Sequence, residues 1–228
     1  IWDARGAFVT HVFKPFQGGD GGGSGRLSVT AITWKQELGQ LILAIARDDG
    51  SLAIHDLREE NPNKVIILRD HVSAVTTMDW WGHEFFVSTG RDSILNLWRI
   101  VESKASDNNK KKGTKGKKTN PLVSPAMEYR RIQSIPVYEQ VEGMVILPSH
   151  KHPTEIRVAT AGGKGIIRLW KASVVPGQTP ELKLSLEQPS LQSFGEARGG
   201  YMGLVLNQKA LADKNKMEQI IAVDAEHN

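Results

Sequence analysis

Ser88-Thr89-Gly90-Arg91-Asp92-Ser93-Ile94-Leu95-Asn96-Leu97-Trp98-Arg99-Ile100 sets a short turn-forming group between two apolar runs and closes on a tryptophan. Strand-forming residues on both sides of Gly90-Arg91-Asp92-Ser93 predict a β-hairpin whose turn is those residues. Tryptophan-ending or similar strands recur at Ile1-Trp2-Asp3, Leu52-Ala53-Ile54-His55-Asp56, Ile94 to Arg99, and Ile166-Ile167-Arg168-Leu169-Trp170-Lys171. Trp98 follows His55 by 43 residues and Trp170 follows Trp98 by 72. Removing an insertion of roughly 28 residues brings the second interval to about 44, and a period of 40–45 residues is that of a four-stranded propeller blade. Further strands are predicted at Val29 to Trp34, Leu41 to Ala46, Val75 to Trp80, Glu84 to Ser88, Val141 to Leu147 and Ile156 to Ala161. Strands at this spacing, with no helical periodicity, predict an all-β propeller with about three complete four-stranded blades and two partial ones.

The insertion stands out by charge. Residues 101–128 hold seven lysines against Glu102, Asp107 and Glu128, which accounts for the whole formal charge of +4. Rich in Gly, Asn and Ser and poor in apolar residues, this segment has too little to bury to offset its ordering entropy, so disorder is expected across 101–128. The rest, with 39% apolar residues over 228 positions, suits one propeller domain spanning 1–228. There is no cysteine, which excludes disulfides and thiolate metal sites and suits a reducing compartment. No apolar run has bilayer-spanning length. The opening I-W-D-A-R-G has neither an initiator methionine nor the regions of a signal peptide, and the strand pattern begins and ends inside a blade, so a fragment of a larger propeller is expected.

These residues resemble the WD-repeat β-propeller family. In that family a histidine ahead of the blade, a Ser or Thr on the second strand, an Asp in the next turn and the third-strand Trp form a buried network. The resemblance assigns those places to His71, Ser88, Asp92 and Trp98, with Trp2, Asp3, Asp49, His55, Asp56 and Trp170 as markers of the other blades. Two blades depart from the pattern: His55 replaces the tryptophan six residues after Asp49, and Lys164 stands where the aspartate before Trp170 belongs. Those blades are expected to rely on strand pairing and apolar packing more than on a polar network.

W-D-A-R-G-A-F-V-T-H-V-F, H-V-S-A-V-T-T-M, I-P-V-Y-E-Q-V-E-G-M-V-I-L-P and A-V-D-A-E-H-N together look like the first propeller of the transducin-beta-like WD-repeat subunits in the UtpB subcomplex of the small-subunit processome. The resemblance implies a non-catalytic nucleolar scaffold in pre-ribosomal RNA processing. Its implied partners are other WD-repeat and helical-repeat UtpB subunits, pre-ribosomal RNA and the snoRNA particle, with no cofactor.

Alternative chemistry finds little support in the residues. Gly18 to Gly25 lacks the Lys-Ser/Thr ending of a phosphate loop and is read as an inter-blade loop. Gly162-Gly163-Lys164-Gly165 is read as a turn. His150 and His152 have no acidic residue at a helpful spacing and are read as loop residues, so no metal is expected. No nucleophile, base and orienting group converge, and no enzyme is expected. Lys110, Lys111, Lys112, Lys115, Lys117 and Lys118 have three readings: a solvated loop, a sequence-independent contact to RNA phosphates, or a nuclear targeting signal. A rival function, substrate receptor for a ubiquitin ligase or a phosphopeptide, requires a cluster of arginines on one face, for which Arg47, Arg91 and Arg168 are the candidates.

Overall fold

The computed structural model describes residues 2–3, 6, 8–9, 27–37, 40–58, 64–103, 126–147, 154–185, 200–207 and 220–224. Period-2 alternation and turn residues shape the regular elements among them, all of which are strands. The first blade is β3 (Val29–Glu37), β4 (Gln40–Arg47), β5 (Leu52–Asp56) and β6 (Val65–Leu68), antiparallel and hydrogen-bonded in that order. The second is β7 (Val75–Trp81), β8 (Phe85–Gly90), β9 (Ile94–Ser103) and β10 (Ala126–Pro136). The third is β11 (Val141–Ile146), β12 (Glu155–Gly162), β13 (Arg168–Ser173) and β14 (Lys183–Leu184). β1 (Trp2–Asp3) pairs with β2 (Phe8–Val9), and β15 (Tyr201–Leu206) with β16 (Ile220–Asp224). The first strands stand side by side, β3 against β7, β7 against β11 and β11 against β15, the fan of a propeller.

Alternation along each strand sends its two sets of side chains into two different inter-blade cores. On β9, Trp98 and Ile100 join Ile42, Ala44, Leu52 and Ile54 of the first blade, whereas Leu95 and Leu97 join Met144, Val158 and Trp170 of the third. Trp170 therefore repeats the packing of Trp98 one blade later, each indole facing the preceding blade. A third core sets Ala159, Ala161, Ile167 and Leu169 against Leu204. At about 25 cal/mol per Å² of apolar surface removed from water, these interleaved faces supply the main force holding blade to blade.

A β-bulge recurs near the start of every innermost strand, between Val29 and Ala31, Val75 and Thr77, Val141 and Gly143, and Tyr201 and Gly203. The bulged Thr30 and Thr76 turn their hydroxyls sideways: Thr30 donates to the Val75 carbonyl, and Thr76 to the Val141 carbonyl at 2.6 Å. These two bulges thus fasten a blade to the next. At Gly90 the neighbouring chain comes so near that a Cβ would lie 2.2 Å from the Ala74 carbonyl, which leaves glycine as the residue that fits.

The second blade corrects the limits expected for the lysine-rich insertion. Val101, Glu102 and Ser103 pair with Glu128, Met127 and Ala126, so 101–103 and 126–128 are strand. Met127 packs on the first inter-blade core beside Tyr129 and Ile100, and this burial extends the ladder beyond the point where composition turns polar. Residues 104–125, with all seven lysines, lie outside the described residues.

Candidate functional site

The second blade carries a polar network beneath its second turn. Asp92 follows the blade's second strand and folds its carboxylate back on the backbone, Oδ1 accepting from Ile94 N at 3.1 Å. Oδ2 accepts from Val72 N at 3.2 Å and meets His71 Nδ1 at 2.8 Å. His71 Nε2 lies 2.9 Å from Ser88 Oγ, which accepts the Trp98 indole N–H at 3.0 Å. With the imidazole proton on Nδ1, every donor has a defined target: Trp98 gives to Ser88, Ser88 to His71, and His71 to Asp92. Asn96, a member that sequence reasoning missed, places Nδ2 3.1 Å from His71 Nε2, where it shares that nitrogen's one lone pair with the Ser88 hydroxyl. Burial raises the Asp92 pKa, but hydrogen bonding and attraction from His71, with the two amides, outweigh it and hold the carboxyl below its ordinary value.

The third blade replaces this network with another, which corrects the expectation that it relies mainly on pairing and packing. Trp170 Nε1 donates to Thr160 Oγ1 at 2.9 Å, matching Trp98 and Ser88 at a 72-residue offset. The same offset carries Asp92 to Lys164 and Asn96 to Arg168. Here the negative charge comes from the other side: Glu139, buried, forms an ion pair with the Arg168 guanidinium and accepts Lys164 N at 2.9 Å. The Lys164 ammonium reaches the Tyr138 carbonyl at 2.7 Å. The signal in the sequence is the pair of 72-residue matches that set two cations where the second blade has Asp92 and Asn96, so that a compensating carboxylate is required nearby.

The first blade has no comparable network among its described residues. Asp49 serves its own turn, its Oδ1 accepting from Ser51 N at 2.9 Å and Ser51 Oγ at 2.6 Å. Burial raises its pKa, yet those bonds and nearby Arg69 and Arg47 bring it below the ordinary value. His55 faces Leu43 across the ladder, in the register that Trp98 holds against Phe86. Burial and the Arg47 charge lower its pKa. Asp56 accepts from the Arg58 backbone and guanidinium at the blade surface. Trp2 and Asp3 occupy β1, while the lysines at 110–118, the glycine loop at 18–25, His150 and His152 lie outside the described residues.

The three arginines proposed as a cluster do not present three available guanidinium groups. Arg91 binds Glu142 in bidentate fashion at 2.9 and 3.3 Å, Arg168 is tied to Glu139, and Arg47 is 6% exposed. Among the described residues no group of three or more His, Asp or Glu side chains could hold a metal ion.

Four-stranded antiparallel blades, fanned about their first strands and tied in the second by the His71–Asp92–Ser88–Trp98 network, define a WD-repeat β-propeller fold. The curated relatives carry one protein's name. The chain is similar to transducin beta-like protein 3 of Mus musculus, 24% identical over 180 residues, and to that of Bos taurus, 24% over 181, in each case across 76% of this chain. It spans only 18% of the length of these relatives. No protein-family model matches the chain. Among solved structures, a chain of the mitotic checkpoint complex is similar at a TM-score of 0.45 and 16% identity, over 81% of this chain and 46% of that one.

Proposed function

We propose that the protein is a non-catalytic scaffold subunit of a nucleolar ribonucleoprotein assembly, the small-subunit processome, supporting pre-rRNA processing and small ribosomal subunit biogenesis. The observation that carries this reading is the similarity to transducin beta-like protein 3 along three quarters of the chain. In this reading the propeller holds other WD-repeat and helical-repeat subunits of the UtpB subcomplex. The lysines at 110, 111, 112, 115, 117 and 118 neutralise RNA phosphates without reading sequence, since no aromatic side chain interrupts the run. β9 and β10, the two longest strands of the second blade, flank that segment in the chain and extend as a two-stranded ladder beyond β8. The location is the nucleus, in the nucleolus.

The test is affinity purification of the full-length protein with mass spectrometry. Co-purification of processome subunits with pre-rRNA is the expected result. Recovery of ubiquitin-ligase adaptors in their place would overturn the scaffold reading in favour of a substrate receptor, a role for which Arg47, Arg91 and Arg168, buried or already paired, offer little.

A further inference from the structure

The turn between β10 and β11 holds a bulky residue in a backbone conformation that suits glycine. Tyr138 has φ of 67° and is 70% exposed. Its neighbours force the turn: Val137 is fully buried and donates its N–H to the Ser93 carbonyl at 2.8 Å, and Glu139 is fixed by Arg168 and Lys164 N. The tyrosine ring serves neither side of this arrangement. Glycine meets no steric resistance at positive φ, whereas a side chain there is strained, and the exposed ring adds little to any core. Strain kept for an exposed aromatic points to use at a surface.

The surroundings specify that use. The Asp92–Ser93 turn ties Val72 and Val137 to itself through Val72 N on Asp92 Oδ2 and Val137 N on Ser93 O, which brings Val72 and Tyr138, the neighbour of Val137, to the same turn. Val72 is 89% exposed, and Ile166, just beyond Lys164, is 44% exposed. Arg91 on the same turn is neutralised by Glu142. Lys164 touches the Tyr138 carbonyl and has no carboxylate partner among the described residues, so it is the unbalanced charge at the Tyr138 backbone. From this we infer that Tyr138, Val72 and Lys164 form a docking surface for an extended protein segment that carries an aromatic anchor flanked by carboxylates. An exposed Tyr on an anchored turn with aliphatic neighbours matches the composition of interface hot spots. RNA is the poorer fit, because Glu142 cancels the guanidinium on this turn and sets a carboxylate against phosphate, and aliphatic side chains do not provide a stacking platform.

The inference rests on the scaffold reading only in assuming that the propeller binds proteins. The probe is a fluorescent eleven-residue peptide with a central Phe between acidic pairs, titrated against the intact protein beside a Phe-to-Ala peptide and a ten-nucleotide oligouridine. The Phe peptide is expected to bind at least about 10-fold more tightly than the Ala peptide, with Tyr138→Ala, Tyr138→Gly and Lys164→Glu each weakening it about 10-fold or more. Tyr138→Gly relieves the backbone strain, so its melting temperature is expected to equal or exceed that of the parent while binding is lost. Equal binding of both peptides, or unchanged binding by Tyr138→Ala, would overturn the proposal. So would a lowered melting temperature of Tyr138→Gly, which would make the ring structural, or oligouridine binding that Tyr138→Ala abolishes, which would make the surface a nucleic-acid site. Failure of processome subunits to co-purify leaves these results unaffected, so the two readings fail separately.

Discussion

Removing the Asp92 carboxylate tests the physical reading of the second blade. The side chain is 1% exposed and serves three donors: His71 Nδ1, Val72 N and Ile94 N. Asp92→Ala leaves an imidazole N–H and two amides without their acceptor and frees the ring that positions Ser88 for Trp98. A hydrogen bond to a charged group contributes about 1.5–3 kcal/mol. The three contacts share one carboxylate and are not additive, so a loss of about 3 kcal/mol is expected. For a domain of this size that is a fall of roughly 6–12 °C in melting temperature. The assay is urea unfolding of the intact protein followed by Trp fluorescence, with Asp49→Ala as the comparison. Among the described residues Asp49 accepts hydrogen bonds from Ser51 alone, in its own turn, so its loss should cost about 1 kcal/mol or less. Equal losses at the two aspartates, or a loss at Asp92 below about 0.5 kcal/mol, would refute the network as the second blade's organiser. Acid supplies a second check. The folded-state pKa of Asp92 lies below its unfolded value near 3.8, so its contribution is complete above about pH 5 and is lost as pH falls through the lowered folded pKa. Asp92→Asn should flatten the acid limb of the stability curve relative to the parent.

Glu139→Ala should destabilise the third blade by about 3 kcal/mol or more by leaving Arg168 uncompensated in a nearly buried site, whereas Lys164→Ala should cost under about 0.5 kcal/mol; denaturant midpoints measure both. Tyr129, buried against Phe86, has its pKa pushed up to about 12 by burial and by the nearby Asp56 charge. A phenol harder to ionise when folded stabilises the fold below pH 10, and that contribution is lost as pH rises through about 12, so Tyr129→Phe should remove this alkaline loss in pH-dependent melts. Replacing all six of Lys110, Lys111, Lys112, Lys115, Lys117 and Lys118 with Gln should weaken RNA binding and flatten its salt dependence by roughly 0.7 in the log–log slope per lost single-strand contact; unchanged affinity, slope and nucleolar localisation would reduce the run to a spacer.

The sequence by itself determined the repeat and the kind of sheet. Strand alternation is a local property, and the spacing of His55, Trp98 and Trp170 registers successive blades whatever the loops between them do. The outer strands β6 and β14 were not legible, because four and two residues of edge strand leave too little pattern to separate from a loop. β13 begins at Arg168, two residues later than the apolar run suggests, since Ile166 and Ile167 complete the turn after Gly165. The reach of β9 and β10 into 101–103 and 126–128 was hidden by composition, which averages over a window and cannot register that Met127 finds a core to enter. Only tertiary structure decided how the third blade holds together. Glu139 lies 29 residues from Arg168, and a carboxylate and a guanidinium so far apart become partners only when the strands between them fold their positions onto one point. The same holds for Tyr138: its chemistry is in the sequence, but its positive φ and its exposure follow from Val137 and Glu139 being anchored on opposite sides of it.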